Sequence, residues 1–133
     1  MPFVRISLIS PTIDHEQIRN LQQGATELMA SVMRKEVAGI AVLVEHVDHC
    51  DWSIAGASIA VGAHIEATIG RGTNTPDEKA RFMSEMWRLV RAELGLALRE
   101  ETYLVIHEID TNAYGRGGLT RAERDRRRQT TDV

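Results

Sequence analysis

Laid over itself at a shift of 62 residues, the chain matches its own apolar pattern: Leu21 stands on Met83, Ala25 on Trp87, Leu28 on Val90 and Val32 on Leu94. The same shift puts Val42 on Leu104, Val44 on Ile106, Trp52 on Tyr114 and Gly56 on Gly118. Such a repeat constrains the fold more than any single segment, because each copy must be one supersecondary unit that shares its core with the other. Each copy reads strand, helix, strand. Phe3 to Ile9 alternates as a strand, and Pro11 and Thr12 break it. Asp14 then stands as N-cap, or as the first helical residue after Thr12, of a helix in which Ile18, Leu21, Ala25, Leu28, Met29 and Val32 recur at helical spacing, to about Lys35. Ile40-Ala41-Val42-Leu43-Val44 is apolar on both faces and predicts a strand inside a sheet covered on both sides. In the second copy His64 to Ile69 is a strand, and Thr75 caps and Pro76 opens a helix with Met83, Met86, Trp87, Val90 and Leu94 on its apolar face. Tyr103 to Ile109 is the last strand.

The predicted fold class is α/β of the α+β-like kind: two tandem β-α-β units in one four-stranded sheet, both helices on one face, and a short glycine-bearing hairpin after each unit. Within a unit the two strands are parallel and joined by a right-handed crossover. The chain reads as a single domain, 1–133, made of repeat unit 2–62, repeat unit 63–120 and a polar tail 121–133. The sheet face away from the helices needs a cover. Another copy of the chain is the simplest one, which predicts a homo-oligomer.

Composition narrows the function classes. With 133 residues, 43% apolar and 26% charged, the chain can bury a core without disulfide or metal. A net charge of −3 argues against nucleic-acid binding. The tail arginines Arg121, Arg124, Arg126, Arg127 and Arg128 are interleaved with acids and read as a solvated or partner-contacting end. Cys50 is the only cysteine, so a reducing compartment is expected. Apolar stretches such as Ala38 to Val44 are far short of a membrane span, and Met-Pro-Phe-Val-Arg is no leader, so no membrane association and a cytoplasmic location are expected. His46 and His49 would point to opposite faces of a strand and find no further ligand at zinc spacing, so no metal is expected. His107 in a strand reads as structural. Gly115-Arg116-Gly117-Gly118 opens no apolar helix and makes no phosphate loop.

Pro2 is the residue with distinctive chemistry. Removal of Met1 would leave a secondary amine at the chain terminus, and an α-amino group titrates at about 7.7–8.0, already near neutrality. Burial and nearby positive charge lower that value further and leave a free base at pH 7, suited to general-base or nucleophilic work.

Met-Pro-Phe-Val-Arg-Ile-Ser-Leu, the helix opening near Asp14, Ala-Val-Leu-Val-Glu-His and Trp52-Ser-Ile-Ala-Gly56 together resemble the tautomerase superfamily, and 4-oxalocrotonate tautomerase most of all. Ile69-Gly70-Arg71, Asp77-Glu78-Lys79 and Ile106-His107-Glu108-Ile109 through Gly118 repeat the resemblance, so that it spans about residues 2 to 120 as two fused units. Fused-length relatives include malonate semialdehyde decarboxylases, cis-3-chloroacrylic acid dehalogenases and macrophage migration inhibitory factor, and these associate as trimers.

The resemblance implies a small cofactor-free tautomerase or isomerase, with Pro2 as general base on an enolisable carboxylate substrate and a homotrimer as the assembly. The family's arginine at the end of the first strand falls on Thr12 in the first half and on Arg71 in the second. Its second arginine falls on Ala41 and Tyr103, and its hairpin aromatic on Trp52 and Tyr114. The implied catalytic residues are therefore Pro2, Arg71 and Tyr103, with Trp52 and Tyr114 as substrate contacts; Arg116, between glycines, is a further candidate for substrate contact on its position alone. The second unit has no terminal amine, which allows one proline site per chain. One arginine in place of two suits a monocarboxylate. The alternatives are a dehalogenase or decarboxylase of a small acid on the same site, and a catalytically silent trimeric interaction protein.

Overall fold

In the computed structural model, which describes residues 2–131, one mixed four-stranded sheet carries two long helices. Met1, with its expected removal, and the last two residues of the polar tail lie outside the described residues. In chain order the elements are β1 (Phe3–Ile9), α1 (His15–Ser31), β2 (Ala41–His46), a hairpin of β3 (Ser53–Ile54) and β4 (Ala57–Ser58), β5 (Gly62–Gly70), α2 (Pro76–Leu94), β6 (Leu104–Ile109), a second hairpin of β7 (Gly115–Arg116) and β8 (Leu119–Thr120), and α3 (Arg121–Thr131). The sheet order is β2-β1-β5-β6. β1 runs parallel to β2 and β5 parallel to β6, while β1 and β5 meet antiparallel with Ile6 opposite Ile65.

The alternation of the central strands explains the layering. Val4, Ile6 and Leu8 of β1 and Ile65, Ala67 and Ile69 of β5 are buried against Leu21, Ala25 and Met29 of α1 and Phe82, Met86 and Val90 of α2. The helices meet each other at Gly24, where a Cβ would run into the Leu89 side chain. Both helices begin with a reciprocal capping box, Asp14 with Gln17 and Thr75 with Glu78, which satisfies two otherwise orphaned N–H groups at each start. Each hairpin turns on two residues of positive φ, Ala55-Gly56 and Gly117-Gly118, the twist that two-residue hairpin loops require.

Several expectations need correction. The two N-caps are 61 residues apart, and the buried helix positions pair at the same spacing: Leu21 with Phe82, Ala25 with Met86, Met29 with Val90. The second strands and hairpins keep a spacing of 62, because β1 pairs Val4 with Val42 whereas β5 pairs Ile65 with Leu104. One extra residue therefore sits between α2 and β6. Met83, expected on the buried face, is exposed as a result. β2 is an edge strand rather than an inner one, with Ala41 and Leu43 open to solvent in the single chain. The face away from the helices is only partly apolar. Phe3, Leu43 and Val105 share it with a Ser7–Glu45 hydrogen bond (2.7 Å) and a His107–Glu66 contact (2.8 Å). His107 holds the Glu66 carboxyl below its ordinary value, chiefly through that hydrogen bond. α1 stops at Ser31, short of Lys35, and β2 ends at His46, with His49–Asp51 in a separate 3₁₀ turn. Of the two forms open to the tail, a frayed helix or a loose end, the structure has a helix, through Thr131. No helix among the described residues is long and apolar enough to cross a membrane.

Candidate active site

The antiparallel pairing of β1 with β5 brings the start of β1 beside the end of β5, so Pro2 lies next to Gly70 and the loop that follows it. Pro2 is buried, and its carbonyl accepts from the Ala41 N–H (3.1 Å). It forms part of the wall of a cavity of about 350 Å³. The second hairpin closes one side: Tyr114 precedes β7, and Arg116 ends that strand. Gly70 makes room for Tyr114, because a Cβ at Gly70 would collide with the Tyr114 hydroxyl. The backbone of Gly39 runs beneath the Arg116 guanidinium.

The opposite wall comes from the end of α1. After Val32 and Met33, which are buried, Arg34 enters the left-handed region at φ 59°, and the Lys35 N–H closes back on the Met29 carbonyl (3.0 Å). At the helix spacing of 61, the counterpart of Arg34 is Gly95, also at positive φ (89°). The second unit thus has glycine where the chain turns to positive φ, whereas the first has an arginine, held by tertiary contacts. Such a conformation persists in an L-residue only where the surroundings enforce it. Arg34 donates to Glu78 from Nε (2.6 Å) and from Nη2 (3.3 Å), and to the Thr73 carbonyl (2.9 Å). Glu78 also accepts from the Thr75 N–H (2.8 Å) and from Asn74 (3.2 Å). These donors, Arg34 first, hold the Glu78 carboxyl down to about 2. Asn74 in turn donates to the Met33 carbonyl (2.9 Å), tying the loop before α2 to the end of α1.

Lys35 follows the left-handed turn into the same cavity, and its ammonium donates to the Thr73 hydroxyl (2.8 Å). Burial, then the positive charges of Arg34 and Arg121, push the Lys35 pKa below its ordinary value, against a smaller opposing pull from Glu78. α3 closes the outer rim with Arg121, Arg124 and Arg128. The walls carry Arg34, Lys35, Arg116, Arg121, Arg124 and Arg128 against Glu36 and Asp125. An acidic chain therefore presents a strongly cationic pocket around Pro2, an arrangement that attracts small anions and disfavours protonation of an amine.

Of the six residues singled out in the sequence, Pro2, Tyr114 and Arg116 share this cavity. Arg71 does not. It follows Gly70, but its guanidinium points to Asp110 (3.1 Å) and is 65% exposed. At the spacing of 61 that relates the two loops before the helices, the first-half counterpart of Arg71 is Ser10 rather than Thr12. Tyr103 is 67% exposed and lines a separate depression with Trp52 at the opposite end of the sheet, where the first hairpin meets the start of β5. There the side chains of Ile59 and Ile9 close on Gly62, with Trp52 in ordinary contact beside them. Arg34 and Lys35 were not anticipated, since nothing local in Met33-Arg34-Lys35-Glu36 marks a left-handed turn. The α3 arginines, expected in a solvated or partner-contacting end, line the cavity through Arg121, Arg124 and Arg128.

Residues 2–62 match a family model described as Tautomerase, tautomerase enzyme. A probable tautomerase of Helicobacter pylori (strain J99) is 36% identical over 63 residues, covering 44% of this chain and 90% of that protein. Among solved structures, a fused 4-OT wild-type symmetric trimer superimposes with a TM-score of 0.80 at 17% identity, covering 92% of this chain and 98% of that one. Pt0534 inactivated by 2-oxo-3-pentynoate gives a TM-score of 0.80 at 14% identity, over 90% of this chain and 96% of that one. The last two likenesses concern the fold, which in both is carried over almost the full length.

Proposed function

The chain belongs to the tautomerase family, and on that premise we propose that it is a cofactor-free tautomerase in which Pro2, once terminal, is the general base. The proline nitrogen takes a proton from a carbon or an enol oxygen beside a carbonyl, and returns it at the other end of the enol system. Lys35 draws in the substrate carboxylate. Tyr114 shields the reacting atoms from water, and Arg116 contacts the outer part of the acid. In this reading the carboxylate-holding role expected of Arg71 passes to Lys35. Tyr103 and Trp52 serve only a neighbouring subunit's Pro2. The assembly is a homotrimer, in keeping with the fused 4-OT trimer of the same fold, and it covers the open sheet face that carries Phe3, Leu43 and Val105. Because the chain lacks a second terminal amine, there is one site per subunit.

The observation that carries this reading is the burial of Pro2 in a cationic cavity. Neighbouring cations disfavour the protonated amine and favour its basic form at neutral pH. The test is covalent trapping on mass-verified protein beginning at Pro2. Incubation with 2-oxo-3-pentynoate, the compound that inactivated the Pt0534 protein, should add one equivalent per chain, located on Pro2 by peptide mapping, and abolish turnover of phenylenolpyruvate. Labelling elsewhere, or turnover surviving full labelling of Pro2, would overturn it.

A further inference from the structure

We propose that α3 and the second hairpin form a phosphate-binding subsite beside Pro2, so that the acid acted on carries a phosphate-class group in addition to its carboxylate. This deepens the tautomerase reading and rests on it for the chemistry, though not for the binding. The argument is one of uncompensated charge. Arg34 is committed to Glu78, and Arg121 to Asp125 (3.0 Å). Among the described residues, Arg116 and Arg128 have no carboxylate within ion-pair distance, and Arg124 rests its guanidinium on the Arg116 carbonyl (3.2 and 3.1 Å). Arg124 and Arg128 are one helical turn apart, a like-charge spacing that destabilises an isolated helix. Yet both line the cavity.

The hairpin holds one member of this cluster in place, because Arg124 donates to the Arg116 carbonyl. Gly117, whose positive φ (59°) serves the hairpin turn, has the Arg124 guanidinium against its open side, 2.9 Å from where a Cβ would stand. Glu36, the wall carboxylate not engaged by Arg121, offsets one of these three charges, and two remain. A phosphate monoester brings about −1.5 to −2 charges and three acceptor oxygens, which forked guanidinium donors bind in pairs. Lys35, on the inner wall, is left for the carboxylate.

The experiment uses the full chain and three proteins: wild type, the double variant Arg124→Ala/Arg128→Ala, and Arg126→Ala. Arg126 is on the same helix but outside the cavity wall, so its loss removes charge without touching the subsite. Calorimetry measures inorganic phosphate and acetate binding at low ionic strength, and circular dichroism verifies that α3 persists. Wild type and Arg126→Ala should prefer phosphate over acetate to a similar extent. The double variant should lose that preference by at least about ten-fold, as expected for charged hydrogen bonds. An unchanged preference in the double variant, or an equal loss in Arg126→Ala, would overturn the subsite.

Steady-state kinetics then separate the two sources of phosphate. A 2-oxo acid bearing a phosphonate should show a lower KM than phenylenolpyruvate in wild type, and lose that advantage in the double variant. Phosphate binding without any KM advantage would overturn the substrate assignment and leave free phosphate as the ligand. Calorimetry needs no turnover. A protein inactive on every enol that still binds phosphate through α3 would sink the tautomerase reading and leave the subsite standing.

Discussion

Arg34, at the left-handed end of α1, reaches Glu78, in the first turn of α2, at 2.6 Å. The contact joins the two repeat units next to Pro2 and fixes the direction in which Lys35 leaves the helix. Glu78 is held down to about 2 from the ordinary 4.5. A depressed carboxyl stabilises the fold above its unfolded value and loses that contribution as pH falls through the folded one. Glu78→Gln should therefore melt lower than wild type at pH 7. The gap should narrow as pH falls from about 4.5 to about 2, where both proteins carry a neutral group. Thermal melts across that range check it, and a gap that stays constant with pH would show that Glu78 acts through packing alone.

Gly95 stands where Arg34 stands in the other unit, at φ 89° against 59°. Arg34→Gly and Arg34→Ala both lose the contacts to Glu78, but only alanine keeps the unfavourable backbone. Arg34→Gly should melt a few degrees above Arg34→Ala. Equal melting temperatures would mean that the loop relaxes out of the left-handed region once the side chain is gone.

Much of the fold was legible because strand alternation, capping residues and turn glycines are local signals. Asp14, Thr75 and Pro76 mark where the helices begin, and Gly56 and Gly118 mark the hairpins. The shift between 61 and 62 was not legible. Leu28 and Met29 are adjacent and both apolar, as are Phe82 and Met83, so either spacing lays apolar residues on apolar ones. Only packing decides that Phe82 and Met29 face the core. At the site, Pro2, Tyr114 and Arg116 stand at strand ends whose order follows from the repeat. Arg34 and Lys35 enter through a backbone conformation that arginine rarely takes, enforced by Glu78 from 44 residues away. α3 could not be read because alternating arginine and acid look the same on a solvated helix as on one that rims a pocket.

Gly70 and Tyr114 should behave as a coupled pair. Gly70→Ala places a methyl group where the Tyr114 hydroxyl lies, so the ring must move out of the cavity wall. Turnover should fall by about ten-fold or more, on the scale of a misplaced active-site group. Tyr114→Phe removes the colliding oxygen. In the double variant Gly70→Ala/Tyr114→Phe much of the loss should return, a non-additivity that a double-mutant cycle reads directly. Additive losses would show that Tyr114 does not define the wall beside Pro2.

Lys35 should set both limbs of the pH–rate profile. Its positive charge disfavours protonation of the Pro2 amine, so Lys35→Met should raise that amine's pKa. The base form would then appear only at higher pH, and the acidic limb of kcat/KM should move up by roughly 0.5–1 unit. The alkaline side follows from Lys35 itself. Burial and the charges of Arg34 and Arg121 lower its pKa from the ordinary 10.5, so it loses its proton earlier than a free lysine would. As it does, the carboxylate loses its partner and KM should rise. Lys35→Arg keeps the charge throughout and should hold the acidic limb near its wild-type position while removing the alkaline rise in KM. Profiles of kcat/KM and kcat against pH for the three proteins check both limbs. An acidic limb that moves down in Lys35→Met, or an alkaline KM rise that survives in Lys35→Arg, would take Lys35 out of contact with both the amine and the acid.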